Sequence, residues 1–231
     1  MINRWNPFCP SMPKRETQRL LRLFKVLLDH YGPQHWWPGD TDWEVMVGAI
    51  LTQNTAWTNV EKAIGNLKVK DVLSIEGIHR LSVEELASLV RPSGYYNQKA
   101  KRLKDFTEHI MRSHNGSLEH LFDQETNALR EELLALNGIG PETADAMMLY
   151  AGDHLTFVID AYTLRFARRY NLPFEPEYET ARNYFQEYLP KDLYIYQELH
   201  ALFDEHAKTS CRPRPLCEAC FLRRSCKRTG L

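Results

Sequence analysis

Apolar residues recur at intervals of three and four through almost every segment of this sequence, while period-two alternation hardly occurs. Leu20, Leu23, Phe24, Leu27 and Leu28 make one stripe in ETQRLLRLFKVLLDHYG, the pattern of an amphipathic helix. The stretch WEVMVGAILTQNTAWTNVEKAIGNL is apolar nearly all round in its first half. That predicts a core helix which ends and restarts near Asn54. VEELASLV, QKAKRLKDFTEHIMRSH, NALREELLAL, YETARNYFQEYL and YIYQELHALFDEHAK repeat the helical spacing. The one strand-like piece, LTFVID, is short and has no evident partner. The expected fold is all-α, with about ten short helices. Breaks fall at the Pro-Gly punctuation of 32–39, at Arg91-Pro92-Ser93-Gly94 and at Asn137 to Pro141.

Composition narrows the class further. At 231 residues the chain has room for one or two domains of roughly 150 residues. With 43% apolar and 26% charged residues, it has a globular composition rather than that of a disordered or fibrous chain. The longest apolar stretches are a few residues, far short of the roughly 18 needed to cross a membrane. The start MINRWNPFCP lacks a basic segment followed by an apolar block, so no secretory signal is expected.

The overall charge is −1, from 29 Lys plus Arg against 30 Asp plus Glu, and decides nothing. Its distribution is more informative. From Lys208 onward the tail holds Lys208, Arg212, Arg214, Arg223, Arg224, Lys227 and Arg228 against the single acid Glu218. A second cluster, Lys99, Lys101, Arg102 and Lys104, lies in mid-chain. Two basic patches on a neutral chain suit a partner with phosphates, and ordinary solvated faces are the competing reading.

Cys211, Cys217, Cys220 and Cys226 are crowded into the tail, and Cys9 stands alone. An odd total, dense clustering and no secretory signal point to a metal in a reducing compartment rather than a disulfide framework. Cys9 is expected to be a buried or inert thiol.

The most informative stretch is LREELLALNGIGPETADAMMLYAGDHLTFVIDAYTLRFARR, residues 129–169. A helix ends at Leu136, Asn137-Gly138-Ile139-Gly140 make a turn, and Pro141 opens the next helix. Gly138 and Gly140 permit close backbone approach. Free amides at the following helix start form an anion site that can hold a phosphate without reading sequence. Such hairpins also occur as plain structure. Further on, Asp160 precedes a helix over Ala161 to Tyr170 and is placed to cap it. Capping keeps a carboxylate ionised at neutral pH. A reaction passing through a sugar oxocarbenium ion needs such an ionised carboxylate in a cleft.

The pairing of LNGIGPETAD with VIDAYTLRFARR resembles the helix-hairpin-helix plus Gly/Pro-Asp signature of the endonuclease III superfamily of DNA glycosylases. LTQNT at 51–55, PSGYYNQKAKRL at 92–103 and the four-cysteine tail follow in that family's order, so the resemblance spans about residues 34–228. It implies two helical domains: a six-helix domain over 34–152 containing the hairpin at 126–152, and a second made of 1–33 plus 153–231 with a cluster loop at 211–226. It implies double-stranded DNA as partner, with one nucleotide flipped into the cleft. Gly138, Ile139 and Gly140 would grip the backbone, often through a monovalent cation. Gln53 would fill the gap left by the extruded base, Tyr95 would wedge the opposite strand, and Asp160 would be the catalytic carboxylate. Lys99, Lys101 and Arg102 are phosphate-contact candidates.

Within the superfamily, HWWPGDTDWEVMVGAILTQNTAW, VRPSGYYNQKAKRL and GIGPETADA look like the 3-methyladenine DNA glycosylase of the endonuclease III type. The pocket residues implied are Trp36, Trp37, Pro38, Trp57, Lys208 and Glu142. The competing reading of the tryptophans is core packing. A 3-methylated purine is cationic, so flanking π faces attract it by about 1–2 kcal/mol when desolvated. Two departures matter. Bifunctional members carry a lysine two residues after the last hairpin glycine, where this chain has Glu142. A carboxylate cannot form the Schiff base that cleaves the strand, which favours a monofunctional enzyme. The tail, Cys211-x5-Cys217-x2-Cys220-x5-Cys226, is one residue short in its first gap and unusual among 3-methyladenine members. Four thiolates suit a 4Fe-4S cube, with zinc the alternative.

The expected function is thus monofunctional removal of alkylated purines, 3-methyladenine first. The alternatives are a glycosylase for oxidised pyrimidines or mismatched thymine or uracil, and a cluster-bearing DNA-binding protein without chemistry. A monomer in the cytoplasm, associated with the nucleoid, is expected.

Overall fold

The computed structural model describes residues 15–231; Cys9 lies outside them. Among these residues the chain is all helical. The first seven helices are α1 (Arg15–Tyr31), α2 (Asp42–Leu51), α3 (Trp57–Val69), α4 (Ile75–Arg80), α5 (Val83–Leu89), α6 (Tyr96–Ser113) and α7 (Leu118–Phe122). They are followed by α8 (Thr126–Ala135), α9 (Pro141–Tyr150), α10 (Ala161–Tyr170), α11 (Tyr178–Tyr188) and α12 (Leu193–Thr209). Helices α4 and α7 go beyond the sequence reading, because a helix of one or two turns shows too few periods to be recognised, while the break expected at Arg91-Pro92-Ser93-Gly94 is a 3-10 turn over Arg91–Ser93.

Local chemistry sets the ends. Thr41 accepts a hydrogen bond from the Glu44 amide to start α2. Ser82 and Glu85 form a reciprocal capping box at α5, which satisfies two amides that the helix cannot. The restart expected near Asn54 is real: α2 stops at Leu51, Asn54 takes a left-handed φ of 55°, and α3 begins at Trp57.

Helix α2 is the central rod, with every residue from Trp43 to Leu51 buried. It packs on α9, itself buried from Thr143 to Tyr150, and on α3 and α6. Helix α1 packs instead on α11 and α12, and α12 carries α10. The strand-like LTFVID forms no strand among the described residues. It runs as a buried extended linker whose Phe157 amide donates to Gln186 Oε1 at 3.1 Å, and it delivers Asp160 to the start of α10.

A polar knot ties these parts together. Asp145 of α9, fully buried, accepts a bidentate pair from Arg130 of α8 at 2.9 and 3.1 Å. It also accepts from Thr156 Oγ1 at 2.8 Å and Tyr178 Oη at 2.7 Å. Arg182 of α11 donates to Thr156 Oγ1 at 3.0 Å.

Candidate active site

Asp160 is the N-cap of α10, and its Oδ1 accepts from the Thr163 amide at 2.6 Å. Extended backbone at the cap aims the carboxylate into a cleft of about 1380 Å³, counted with its open mouth. Trp36, Trp37, Trp57, Gln53, Glu142, Tyr162, His200, Asp204 and Lys208 line that cleft. Burial alone would push the Asp160 carboxyl up. The neighbouring His200 and the Thr163 amide outweigh it and hold the pKa below the ordinary value, so the group is ionised at neutral pH.

His200, on the buried face of α12, was not singled out from the sequence. Its Nδ1 pairs with Tyr150 Oη at 2.6 Å. Its Nε2 lies 3.7 Å from Asp160 Oδ2, too far for a hydrogen bond, and has no partner. Trp37 Nε1 and Thr163 Oγ1 are likewise buried without partners. Buried polar groups are nearly always paired, so two such groups on cleft-lining residues, Trp37 and His200, mark a place where a ligand or water completes the bonding.

The indoles are held by two devices that sequence spacing does not reveal. Glu198 of α12, buried, accepts from the Gln34 amide at 2.7 Å and the His35 amide at 2.8 Å, fixing the 34–38 segment. Gly48 of α2 leaves the space in which they meet: a Cβ there would sit 3.2 Å from both Trp37 Nε1 and Trp57 Cη2. Trp36 and Trp37 centroids are 5.4 Å apart, and Trp37 stands edge-on to Trp57 at 5.4 Å. Trp36 also faces His200 at 5.7 Å. Pro38 departs from expectation. It lines a neighbouring groove with Asp40, Glu61 and Lys68, which shares Trp57 with the cleft.

Glu142 lies on the cleft wall. Burial in the cleft, and then the charge of Asp160, raise its pKa to about 7. Lys208 is the one lysine lining the cleft among the described residues. Its Nζ is 2.5 Å from Asp204 Oδ2 and stands over the rings of Trp36 and Tyr162, at 5.5 and 5.8 Å.

The hairpin is formed as the sequence suggests. Gly138 has φ +82°, and a Cβ on it would collide with the Arg102 side chain. Gly140 opens α9 with no side-chain cap and with open space before it, so first-turn amides face outward. Ile139 is 5% exposed and its amide donates to Leu136 O at 3.1 Å. Its side chain is therefore core, and its amide is already bonded within the turn. Gln53 reaches across to the hairpin, donating to Gly138 O and Thr143 Oγ1 at 3.0 Å each. Tyr95 is 68% exposed in left-handed backbone at the start of α6.

Two of the four mid-chain cations, Lys99 and Lys104, direct their charge to backbone carbonyls rather than to solvent. Lys99 is 1% exposed and donates to Leu51 O at 2.8 Å and Ser93 O at 2.6 Å. Burial, with Arg102 nearby, lowers its pKa to about 8. Arg102 is half-buried and donates to Gln53 Oε1. Lys104 donates to the carbonyls of His79 and Leu81 at 2.5 and 2.7 Å. Only Lys101 of the four is exposed. Carbonyls at the ends of α2 and α4 lack helical partners, and these cations satisfy them. Lys99 thereby clasps the loop of Gln53 to the turn before Tyr95.

The four tail cysteines line one cavity of 380 Å³ with Phe166, Arg169 and His206, and all four are free thiols. Burial and the neighbouring cysteines push the thiols of Cys220 and Cys226 up. Four thiols lining one cavity are the donor set of a thiolate-ligated cluster, so the residues fit one. Arg169 of α10 grips the loop, donating to Cys211 O at 3.0 Å, Arg212 O at 2.7 Å and Pro213 O at 3.1 Å. Arg165 adds Cys211 O at 2.9 Å. Arg212, Arg214, Arg223 and Arg224 are left exposed.

A glycine hairpin, a capped and ionised aspartate some twenty residues beyond it, and an aromatic cleft between them define a protein that acts on a base or sugar of DNA. The chain belongs to the HhH-GPD superfamily of base excision DNA repair proteins, whose family pattern matches residues 47–191. It is 46% identical, over 93% of its length and 99% of the relative's, to a Methanocaldococcus jannaschii protein provisionally named a DNA repair glycosylase. It is 27% identical to endonuclease III of Thermotoga maritima, over 81% of this chain and 84% of that one. Among solved structures, the H. pylori 3-methyladenine DNA glycosylase bound to 1,N6-ethenoadenine superposes with a TM-score of 0.72 at 31% identity. That match covers 83% of this chain and 97% of the other. A non-covalent endonuclease III–DNA complex shares the fold, with a TM-score of 0.78 at 18% identity over 92% and 95%. The protein is a DNA glycosylase of the endonuclease III-like superfamily of base excision repair.

Proposed function

We propose that this glycosylase is monofunctional and removes alkylated purines, 3-methyladenine foremost, leaving an abasic site. The observation that carries the reading is the seat of Asp160: an ionised carboxylate facing indole rings, with the one lysine of the cleft engaged by Asp204. The likeness to the H. pylori enzyme supports the substrate class.

In this mechanism the flipped base lies against Trp36, Trp37 and Trp57, whose π faces attract a cationic purine. The bond from C1′ to the base nitrogen breaks and its electron pair leaves with the base. A cationic base departs neutral and needs no general acid. Asp160 stabilises the positive charge that develops on the sugar. A water held between Asp160 and His200 Nε2 adds its oxygen to C1′ and gives up its proton toward the carboxylate. A carboxylate at position 142 and an ion-paired Lys208 leave no amine to attack the sugar. The four cysteines would hold a 4Fe-4S cluster, whose role is to fix the exposed arginines of 212–224 as a rigid surface for phosphates.

The test is excision from duplexes carrying 3-methyladenine, 1,N6-ethenoadenine, thymine glycol or a G·T mismatch, with borohydride trapping on abasic-site DNA alongside. The expected result is release of the alkylated purines and no covalent adduct. Release of thymine glycol or thymine with methylated purines untouched overturns the substrate, and a trapped adduct overturns the monofunctional assignment.

A further inference from the structure

A second cluster of metal-ligating side chains lies on α6 and α8, among residues that form neither the cleft nor the cysteine loop. His109 of α6, His114 at its C-terminal cap and Glu132 of α8 bring their ligand atoms within 4.8 Å of one another. Both imidazole Nε2 atoms converge on the same oxygen, Glu132 Oε1, each at 2.5 Å. The other oxygen, Oε2, accepts from Gln124 Nε2 at 2.8 Å, and Gln124 is itself anchored to Leu121 O at 2.9 Å. The carboxylate is therefore held in orientation from behind, as outer partners of metal ligands are. His114 is 10% exposed at its side chain, His109 22% and Glu132 21%. The cluster is thus sheltered but open on one side.

We propose that His109, His114 and Glu132 bind a divalent transition metal, zinc first. Two imidazoles and one carboxylate are the donor set that suits zinc and its first-row neighbours, whereas magnesium and calcium select all-oxygen shells. His109 lies in α6, His114 caps its C-terminus and Glu132 lies in α8, so helical backbone or its cap presents all three, and water on the open side completes a tetrahedral shell. Spreading the ligand atoms around zinc at about 2.0–2.1 Å each takes only small side-chain movements from the present spacing. Such an ion bridges the C-terminal end of α6 to the middle of α8. Helix α8 runs directly into the Gly138–Gly140 turn, and α6 carries Arg102, which lies over Gly138. The ion therefore ties the C-terminal end of α6 to the helix that leads into the hairpin. The alternative is a metal-free cluster in which both histidines simply donate to Glu132.

The test uses the full chain with Zn²⁺ or Co²⁺ as probe and Mg²⁺ as control, on the parent, the double variant His109→Gln/His114→Gln, and Glu132→Gln. Retained metal is measured by elemental analysis after dialysis, together with the unfolding temperature. The expected result is about one more zinc per chain in the parent than in either variant. The parent's Tm should rise by about 5 °C in saturating zinc, a rise absent in both variants and absent with Mg²⁺. Co²⁺ at this site should show d–d absorption without the thiolate charge-transfer band of the cysteine loop. Equal metal content in parent and variants overturns the proposal. The parent alone provides a reading that does not depend on the variants folding. Zinc-edge X-ray absorption should show nitrogen and oxygen neighbours at about 2.0–2.1 Å, and a shell of sulfur alone, at about 2.3 Å, overturns it equally.

Discussion

Asp145 and Asp160 are both carboxylates drawn into the interior, and they are treated in opposite ways. Asp145 has every lone pair answered: two bonds from Arg130, one from Thr156 and one from Tyr178. Asp160 has one backbone amide and a histidine that stops short of bonding it. A saturated carboxylate has no capacity left for a new partner. An under-bonded one, kept ionised by its cap and by His200, is ready for a charge that arises only during reaction. The difference teaches how to tell a structural acid from a chemical one when burial alone does not separate them.

The largest expected effect breaks the comparison at its reactive end. Asp160→Asn removes the charge while keeping shape, and single-turnover excision should fall about a thousandfold or more, with duplex binding and Tm nearly unchanged. A variant that retains parental excision would demote Asp160 to a helix cap. At the other end, Asp145→Asn leaves the guanidinium of Arg130 and the Tyr178 hydroxyl in a knot built for an anion. It should cost about 3–5 kcal/mol in urea unfolding, while excision per folded molecule stays at the parental level.

Smaller effects sharpen the contrast. His200→Gln keeps a polar group near Tyr150 but cannot present the same ring nitrogen to water. We expect kcat to drop about tenfold to a hundredfold with little change in KM, measured under multiple turnover on methylated duplex. Smallest is a pH effect at Glu142. Its pKa is raised to about 7, so it is protonated below that pH and ionised above it. A neutral lesion such as 1,N6-ethenoadenine leaves more easily when a proton is available. Its excision should therefore decline by up to about tenfold as pH rises from about 6 to about 8, whereas 3-methyladenine, already cationic, should change little. Glu142→Gln should flatten the first profile. Identical profiles for both lesions in parent and variant would remove Glu142 from the chemistry.

The features legible in the sequence were local ones. Helix periodicity, the restart at Asn54, the hairpin glycines, Pro141 and the capping geometry of Asp160 depend on neighbours within a few positions, and the structure has them where the spacing puts them. What was not legible depends on which elements meet. His200, Tyr150 and Glu198 read as members of helical stripes, and only the packing of α12 beside α9 and the 34–38 segment turns them toward the cleft. Gly48 reads as an ordinary glycine in a core helix until two indoles are seen to occupy the space it leaves. The basic cluster misled for the same reason. A run of cations looks like a solvent face, but the carbonyl ends of α2 and α4 converge on α6 and take Lys99 and Lys104 inward. Pro38 reads with Trp36 and Trp37 by adjacency, yet it lies on a neighbouring groove that shares only Trp57 with the cleft.

Helix α10 begins with the aspartate and, within its last turns, extends two guanidiniums to the backbone of the cysteine loop. The loop is therefore more than an appendage at the end of the chain: it is a mooring for the very helix that Asp160 caps. Truncating the chain ahead of Cys211 would take away every loop carbonyl that Arg169 holds and leave Arg165 only its bond to Ala207 O of α12 at 3.2 Å. Integrity of a thiol-rich segment far along the chain and readiness of the reacting oxygen are, in this architecture, one mechanical property.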